Sequence, residues 1–365
     1  MGFNCGIVGL PNVGKSTLFN ALTSGRAAAS NYPFCTIDPN VGVVPLPDTR
    51  LDRLAHIYSP QRVVPTTLEF VDIAGLVRGA SKGEGLGNQF LSHIREVDAI
   101  AHVVRCFEHP DVVHVEGAVE PRRDIEIVEA ELILKDLDTI ERRLQEGHRQ
   151  ARSGDKKARV DVEYCERLKT HLHTGGLASS CHPATPEEHT VMQEMHLLTS
   201  KPVMFVCNVD EAESEEGNAA VGTVMELARL RGARVVTISA EIEAEVAMLE
   251  SAERKAFLEE YGLTEPGLER VVREGYALLD LITFFTASAK EVHAWTVRRG
   301  TTASHAAGVI HSDFERGFIR AEVMQCDQLS AQGSEHAMRE HGLMRIEGRE
   351  YVVQDRDVLY IRFNV

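Results

Sequence analysis

Apolar residues along this chain fall into two kinds of pattern, continuous runs and stripes with helical spacing. Mainly apolar runs, with a few polar residues among them, occupy residues 3–8, 68–71, 99–106 and 203–207, which is typical of strands buried on both faces. Between the runs, apolar side chains recur as they do on one face of a helix. This alternation predicts an α/β fold with a mostly parallel, doubly wound sheet, whose ligand lies at the carboxyl ends of the strands.

Two helical stripes in the middle of the chain indicate an inserted hairpin. They cover residues 125–144 and 164–172, and residues 142–159 hold seven Lys or Arg against two acidic residues. We interpret the segment as two antiparallel helices with a basic tip. A solvated charged loop is the alternative, because charge runs are often only that.

Three more helices are expected downstream. Residues 185–188 have a capping-box pattern with proline at the first helical position, so a helix should run through residues 191–198. Two long helical patterns cover residues 241–261 and 265–279. These helices would complete the α/β part of the chain.

The pattern changes after residue 280. Short strand-like runs then follow one another, with one short helical pattern near residues 303–310. The runs cover residues 281–285, 292–297, 318–324, 351–353 and 358–363. We expect a small α+β domain, dominated by strands, over residues 281–365.

Composition limits the class of protein. With 365 residues the chain exceeds the size at which one core usually stops growing, so two or three domains are expected. The net charge of −16 disfavours a surface coated with basic residues for nucleic acid, but it leaves room for a local patch. Seven cysteines without a Cys-x-x-Cys pair indicate reduced thiols. Without an apolar span or a signal peptide, we expect a cytoplasmic protein with no membrane contact.

The strongest candidate for chemistry follows the first run. Residues 9–17 read Gly-Leu-Pro-Asn-Val-Gly-Lys-Ser-Thr, and a helical pattern comes next. The glycines let backbone N–H groups turn toward phosphate oxygens, and the start of the helix adds its positive dipole end. Lys15 would reach the outer phosphates of a nucleoside triphosphate, and the Ser16 hydroxyl would bind Mg²⁺. The predicted nucleotide-binding residues of this loop are Asn12, Val13, Gly14, Lys15, Ser16 and Thr17.

Two further motifs supply candidate groups for the metal and the terminal phosphate. Thr36, in a turn-rich segment, is expected to bind Mg²⁺ and close over the terminal phosphate, although a loop threonine can also make only a local backbone bond. Asp72 follows an apolar run and would hold the magnesium shell. Gly75 would give its backbone N–H to the terminal phosphate. The predicted metal ligands are therefore Ser16, Thr36 and Asp72.

Two later runs deliver polar residues to the same edge of the predicted sheet. Asn208-Val209-Asp210-Glu211 follows residues 203–207, and Ser239-Ala240 follows residues 234–238. In a nucleotide-binding protein of this type, such strand ends contact the base. The predicted base-site residues are Asn208, Val209, Glu211, Ser239 and Ala240.

The order of these motifs is that of a translation-factor-type P-loop protein. Residues 31–40, 72–88 and 136–143 are similar to the YchF (Obg-like ATPase) family within the Obg group, and the resemblance covers essentially the whole chain. It implies a cytoplasmic ATPase that associates with ribosomes or a ribosomal subunit. The basic tip and the carboxy-terminal domain would then form a groove for ribosomal or transfer RNA, whose binding weakens steeply with salt.

The resemblance also implies a division into three domains. The nucleotide-binding domain would comprise residues 1–122 and 201–280, interrupted by a coiled-coil hairpin domain of residues 123–200. Residues 281–365 would form a TGS domain with a ubiquitin-like fold.

The base-reading string favours adenine. Guanine-specific proteins use Asn-Lys-x-Asp, in which the aspartate accepts from two guanine donors and the lysine stem stacks on the base. Here Val209 lacks that stem, and Glu211 places its carboxylate one methylene further out. A mispaired buried polar edge costs roughly 1–3 kcal/mol, so guanine should lose more than adenine. We expect ATP to be preferred over GTP.

The sequence offers two candidates for the group that positions the attacking water. Leu76 occupies the place where many related GTPases carry a glutamine that orients the attacking water. His114 is one candidate, since its counterpart in the resembled family is a proposed water-orienting residue; an ordinary surface histidine is the alternative. A K⁺ ion held near Asn12, as in potassium-activated relatives, is the other candidate.

Three other functions are alternatives to a Mg²⁺-dependent ATPase that acts as a switch. An Obg-type GTPase of ribosome assembly would prefer guanine nucleotides. A binding module would use the nucleotide only to stabilise its fold. A small-molecule kinase fits less well, because the sequence indicates no separate pocket for a phosphate acceptor.

Overall fold

The computed structural model describes residues 3–24, 40–73, 86–214 and 217–364, with the backbone alone at 86–90 and 251–252. The strands are β1 (Asn4–Val8), β2 (Val41–Pro45), β3 (Arg62–Val64), β4 (Thr67–Asp72), β5 (Ala99–Arg105), β6 (Val203–Asn208), β7 (Arg234–Ile238), β8 (Leu281–Ala287), β9 (Glu291–Arg298), β10 (Phe318–Gln325), β11 (Arg345–Glu347) and β12 (Asp357–Phe363). The helices are α1 (Lys15–Thr23), α2 (Thr49–Tyr58), α3 (Leu86–Glu96), α4 (Pro121–Arg152), α5 (Lys156–His173), α6 (Pro186–Met195), α7 (Ala219–Arg231), α8 (Ala240–Val246), α9 (Ser251–Glu260), α10 (Gly267–Leu278), α11 (Ala303–Ile310), α12 (Ser312–Arg316), α13 (Cys326–Gln332) and α14 (Glu335–Glu340).

The first sheet has the strand order β2-β4-β1-β5-β6-β7. Its neighbouring strands are parallel except for the antiparallel pair β2 and β4. Successive side chains of β6 enter different cores: Met204 packs in one cluster with Val271 of α10, and Phe205 packs in another with Val224 of α7. Helices therefore cover both faces, which confirms the predicted doubly wound α/β fold.

The central insertion is a helical hairpin. Helix α4 is 32 residues long, and a three-residue connection leads into the 18 residues of α5, so the two helices run antiparallel. Residues 137–144 of the first predicted stripe meet the second stripe in one buried cluster that also includes Val191 and Met195 of α6. Asp155 caps α5 by accepting hydrogen bonds from the backbone N–H groups of Lys157 and Ala158. The hairpin is confirmed, and the basic residues lie at its turn rather than in a long loop.

A buried carboxylate anchors the hairpin to the first sheet. Asp136 of α4 accepts hydrogen bonds from the backbone N–H groups of Leu198 and Thr199 and from the Thr199 hydroxyl, at 2.7–2.8 Å. Those residues lie directly before β6. The prediction that the third helix reaches Leu198 is wrong: α6 ends at Met195, and His196 adopts a left-handed conformation that turns the chain toward Asp136.

The second sheet is mixed, with the order β11-β10-β12-β8-β9-β3. It confirms the predicted α+β carboxy-terminal domain, but strand β3 comes from the amino-terminal half and pairs in parallel with β9. Leu51 and Leu54 of α2 pack into the same core as Phe285 and Val292. The proposed domain boundaries remain a prediction. They assign residues 49–64 to the nucleotide-binding domain, although α2 and β3 pack with the second sheet.

Several local expectations differ from the structure. Residues 351–353 form only an isolated bridge between Val352 and Thr302, while β11 and the helices α13 and α14 were not predicted. The long pattern at residues 241–261 is divided into α8 and α9. None of the described helices is both long and apolar enough to cross a membrane.

Candidate nucleotide-binding site

The loop between β1 and α1 forms a tight backbone cradle. Gly9 and Gly14 both have positive φ angles, of 155° and 98°. A Cβ atom added to Gly9 would lie 2.5 Å from the carbonyl oxygen of Val103, and one added to Gly14 would lie 2.3 Å from Nδ2 of Asn208. Both positions therefore require glycine.

The first turn of α1 is open to an anion. Its N-cap is Gly14, which has no side chain to cap the helix. The backbone N–H groups of the first turn consequently depend on another partner, and the helix dipole makes a phosphate favourable there. The side chains of Ser16 and Thr17 are exposed beside this turn.

Lys15 is buried within the cradle. Its ammonium group donates to the carbonyl oxygens of Leu10 at 2.7 Å and Gly9 at 3.1 Å. Burial lowers the pKa of Lys15 to about 8, and the nearby charge of Asp72 partly opposes this shift. Burial likewise raises the pKa of Asp72, which the charge of Lys15 opposes. The pair is incompletely solvated, which is the electrostatic condition that a bound phosphate and cation would relieve.

Asn208 joins three of the predicted motifs. Its Nδ2 donates to the carbonyl oxygen of Val13 at 3.0 Å, and its Oδ1 accepts from the backbone N–H of Ala240 at 2.9 Å. Ser239 caps α8, since its hydroxyl accepts from the backbone N–H of Ile242. The structure thus brings the phosphate loop, the strand end at Asn208 and the turn at Ser239-Ala240 together.

The remaining base-site residues have different environments. Val209 is 3% exposed and packs into the core rather than toward the loop surface. Asp210 accepts from the backbone N–H of Glu211, whose side chain is partly buried. Burial, followed by the charges of Glu245, Glu241 and Asp210, raises the pKa of Glu211. This acidic neighbourhood disfavours the carboxylate form of Glu211.

His114 is a buried residue, so the surface-histidine alternative is wrong. Its Nδ1 accepts from the backbone N–H of Glu116 at 3.1 Å, and its Nε2 lies 2.9 Å from Oδ2 of Asp124. Because Nδ1 is an acceptor, Nε2 carries the proton and donates to Asp124. The neighbouring loop residue Val113 accepts from Nδ2 of Asn12 at 3.1 Å, which places the His114 loop beside the phosphate loop.

Three predicted positions, Thr36, Gly75 and Leu76, lie outside the described residues. Asp72 is described: it ends β4 opposite Ile7 of β1. The hydroxyl of Ser16 and the carboxylate of Asp72 are hard oxygen donors, which suit Mg²⁺. In the described part of the chain no three His, Cys, Asp or Glu side chains cluster as a metal site.

Two buried groups near the site were missed from the sequence. Arg105 ends β5 beside Asn208, is 2% exposed, and donates from Nε to the carbonyl oxygen of Phe107. Within the described residues its Nη1 has no hydrogen-bond partner. Asp124 holds His114 from the first turn of α4. Arg105 could have been noticed as a single arginine near the end of an apolar run. No local pattern distinguished Asp124.

Comparison with known proteins agrees with this geometry. Residues 4–137 match a family model described as 50S ribosome-binding GTPase, and residues 281–364 match the YchF-GTPase_C model, described as a protein of unknown function. The chain is 55% identical to the "Ribosome-binding ATPase YchF" of Haemophilus ducreyi and 50% identical to that of Bacillus subtilis, with 100% of each chain covered.

A solved structure supports the same assignment. The Schizosaccharomyces pombe YchF GTPase is 35% identical, with a TM-score of 0.89 over 99% of this chain and 98% of that chain. The predicted resemblance is therefore confirmed over the full length. By its fold, its phosphate loop and these relatives, this chain belongs to the YchF family of P-loop nucleotide-binding proteins.

Proposed function

We propose that this protein is a cytoplasmic, ribosome-associated ATPase that hydrolyses ATP to ADP and phosphate and works as a nucleotide-dependent switch. The observation that carries the proposal is the joint at Asn208, which ties the phosphate loop to the turn at Ser239-Ala240. Relatives that match the whole chain carry the name ribosome-binding ATPase.

Each residue of the cradle has a role in this proposal. In this proposal Lys15 exchanges the carbonyl oxygens of its own loop for the outer phosphates. Ser16, Thr36 and Asp72 hold Mg²⁺ and its water shell, and Gly75 contacts the terminal phosphate. Mg²⁺ supplies the charge that neutralises the phosphates during transfer.

The environment of Glu211 supports adenine over guanine. Guanine presents two donors that need a charged acceptor pair, and the acidic neighbours of Glu211 work against that charge. Adenine presents the N6 donor and the N1 acceptor; a protonated carboxyl group meets both, and a carboxylate still accepts from N6. We therefore expect GTP to bind more weakly than ATP.

Competition between ATP and GTP for the wild-type protein tests this preference. We expect ATP to bind more tightly, and Glu211→Asp to shift the ratio toward GTP, because the shorter side chain restores the usual acceptor position. Glu226→Asp, on an exposed face of α7, is the matched control. If GTP bound the wild type about tenfold more tightly, the ATPase assignment would fail.

The second candidate is an Obg-type GTPase of ribosome assembly. One observation favours it: the solved relative from Schizosaccharomyces pombe is named a GTPase, whereas the curated bacterial relatives are named ATPases. The same competition separates the two, since an Obg-type GTPase requires guanine preference.

A K⁺ ion near Asn12 is a further part of the proposal. Asn12 lies in the phosphate loop and is tied through Val113 to the segment that carries His114. A cation there would supply charge that an arginine otherwise brings, an effect worth roughly 10³–10⁵ in rate. Equal turnover in K⁺ and Na⁺ would exclude this role.

The hairpin tip is the proposed contact with ribosomal or transfer RNA. Arg152, Lys156, Lys157 and Arg159 are exposed there, while Arg143 is bound by Asp161 and Glu194. Exposed cations that neutralise phosphates make binding strongly dependent on salt.

Cosedimentation with ribosomes in ATP, in ADP and without ligand tests the association. We expect Arg152→Glu/Lys156→Glu to reduce pelleting and flatten its salt dependence, whereas Arg229→Glu, an exposed change on α7, has little effect. The proposal would be contradicted if the amount of protein that pellets with ribosomes were the same with each nucleotide and for the tip variant.

A further inference from the structure

The carboxylate of Glu243 is buried on α8, one helical turn from the predicted base site. The residue is 1% exposed. Its Oε1 accepts a hydrogen bond from the backbone N–H of Gly267 at 2.6 Å, and its Oε2 accepts one from that of Leu268 at 3.1 Å. Burial raises the pKa of Glu243, and these two bonds oppose the shift only in part. Keeping a carboxylate there costs free energy that an apolar side chain would not cost.

The two donors lie in the first turn of α10. The N-cap of this helix is Pro266, whose side chain has no acceptor for the free N–H groups. Glu243 accepts from them instead, and its negative charge is favoured at the positive end of the helix dipole. Helix α8 is therefore joined to α10 through main-chain groups, whose positions are fixed by the helix itself.

A second contact holds the chain on the other side of the same turn. Arg270 of α10 donates from Nη2 to the carbonyl oxygen of Thr237 at 2.9 Å. Thr237 lies on β7 two residues before Ser239, and Glu243 lies four residues after Ser239. We name these contacts of Glu243 and Arg270 the α10 clamp. The clamp holds the Ser239-Ala240 turn from both sides.

The packing between α8, β7 and α10 is close. A Cβ atom added to Gly267 would lie 2.7 Å from Oε1 of Glu243 and 2.7 Å from Cγ2 of Ile238, the last residue of β7. The next turn of α10 is fixed in the core of the first sheet by Val271 and Val272, which are 0% and 1% exposed. Helix α10 is therefore a rigid support for the turn.

The turn that is held in this way carries the predicted base site. Ala240 begins α8 and donates its backbone N–H to Oδ1 of Asn208 at 2.9 Å. Helix α8 has seven residues, which is too short to be stable without tertiary contacts. The position of Ala240 consequently depends on what holds α8, and Glu243 lies three residues further along the same helix.

We propose that Glu243 is a positioning residue of the purine site, which fixes the Ser239-Ala240 turn by joining α8 to α10. The inference rests on the proposed function, because it takes Asn208, Ser239 and Ala240 as residues of the base site. It assigns Glu243 no role at the phosphates, which the loop at residues 9–17 binds. Loss of the α10 clamp should therefore weaken binding of a purine nucleotide and leave binding of phosphate groups alone unchanged.

The test compares two full-length variants that each lose a buried carboxylate. Glu243→Gln keeps the size of the side chain but turns an NH₂ group toward one of the two N–H donors. Asp136→Asn makes the same change at the base of the hairpin, where the carboxylate also accepts from two backbone N–H groups. Both changes should lower the thermal midpoint, since both remove a charge-assisted bond, but only Glu243→Gln should affect the purine site.

Binding of ADP, GDP and tripolyphosphate with Mg²⁺ is measured by calorimetry, and ATP turnover by phosphate release. For Glu243→Gln we expect the Kd of the preferred nucleoside diphosphate and the KM for ATP to rise about tenfold, while kcat and the Kd of tripolyphosphate change less than about twofold. For Asp136→Asn we expect every one of these constants to stay within about twofold of the wild type.

Three results would overturn the inference. The first is equal nucleotide binding by Glu243→Gln and the wild type, and the second is an equal loss in Glu243→Gln and Asp136→Asn. The third is a loss of tripolyphosphate binding as large as the loss of nucleotide binding, because Glu243 would then support the phosphate loop. If the wild type preferred GDP, the ATPase assignment would fail, yet the same rise in Kd, measured with GDP, would still support the inference.

A second variant guards against loss of folding. Arg270 is only partly buried, so Arg270→Gln should leave the thermal midpoint nearly unchanged. It removes the bond to the carbonyl oxygen of Thr237 and leaves Glu243 in place. We expect the Kd of the preferred nucleoside diphosphate to rise about threefold and that of tripolyphosphate to stay constant. Wild-type nucleotide binding by Arg270→Gln would remove the β7 side of the clamp from the inference.

Discussion

At the scale of single residues, the phosphate cradle surrounds the ammonium group of Lys15 with protein atoms rather than water. Lys15 is 7% exposed, and its hydrogen-bond partners among the described residues are the backbone carbonyl oxygens of Gly9 and Leu10. Such dipoles stabilise an ammonium ion less well than water or a phosphate does. The ammonium group of Lys15 is therefore incompletely stabilised in the free protein, and a bound triphosphate would stabilise it.

Lys15 should make nucleotide binding depend on pH. Its pKa without ligand is about 8, and the negative charge of a triphosphate raises it. Above pH 8 the free protein must take up a proton to bind, so affinity falls as pH rises, by at most about tenfold per pH unit. Calorimetry at about pH 9 in buffers of different ionisation enthalpy should show this uptake.

The matched control is Lys15→Met, which has no ammonium group to protonate and should show no such uptake. Constant affinity of the wild type across this pH range, without proton uptake, would contradict the assigned role of Lys15.

His114 should affect both catalysis and stability. If its ring orients water, the bond to Asp124 must yield during turnover, and His114→Ala lowers kcat by about 10²-fold or more while KM for ATP changes little. The same change leaves Oδ2 of the buried Asp124 without its histidine donor, while Arg123 still donates to Oδ1, so we expect the free energy of unfolding to fall by roughly 1–3 kcal/mol. An unchanged kcat in a destabilised protein would show that the histidine only supports the loop.

At the scale of elements, α4 belongs to two environments. Its first turns pack on the first sheet through Ile125 and Val128, and its later turns pack against α5 through Ile140 and Leu144. Asp136 lies between these regions, where it receives three hydrogen bonds from the segment before β6. The direction of the hairpin is therefore set by a short polar contact in an apolar helix face.

Replacing Asp136 by asparagine tests this contact. The amide has one acceptor oxygen, so its NH₂ group must face a backbone N–H, and the charge-assisted bonds are lost. We expect the free energy of unfolding to fall by roughly 2 kcal/mol. Asp138→Asn, exposed on the same helix, should change it by less than about 0.5 kcal/mol. If urea denaturation gave the same free energy of unfolding for both variants, Asp136 would not anchor the hairpin.

At the scale of the whole molecule, the segment between β2 and β4 connects the two sheets. Its α2 and β3 belong to the second sheet, while the strands on either side belong to the first. Strand β2 follows the segment that contains Thr36, and β4 ends at Asp72. Both ends of the connection therefore lead to predicted magnesium ligands.

Arg50 should control how firmly the second sheet is held. Arg50→Ala leaves the carboxylate of Asp48, which is 6% exposed, without its bidentate partner, and we expect a loss of roughly 3 kcal/mol. Arg53→Ala, one turn along α2 with a weak exposed pair to Asp327, should cost less than about 1 kcal/mol. The single tryptophan, Trp295 on β9, reports unfolding of this sheet by fluorescence. Identical denaturation curves for the two variants would remove Arg50 from this role.

Local patterns predicted much of this protein because they have local causes. A strand buried on both faces needs a continuous apolar run, a helix in contact with a core needs a stripe, and a phosphate loop needs glycine where a Cβ would collide. The residues of β1, β5 and β6, the hairpin and the cradle around Gly14 and Lys15 could therefore be identified from their own neighbours in the chain. The full-length resemblance placed them in the correct family for the same reason.

Other features depend on contacts between residues distant in sequence, which no local pattern contains. The three residues of β3 are too few to show which sheet they join, and pairing with β9 decided it. Asn208 was predicted to contact the base, but only the approach of the phosphate loop and α8 gave its amide two backbone partners. The sequence alone determined which local structures form and which chemical groups they carry. Tertiary structure decided which of those groups meet, because burial and hydrogen bonding between distant residues arise only when the sheets and helices have packed.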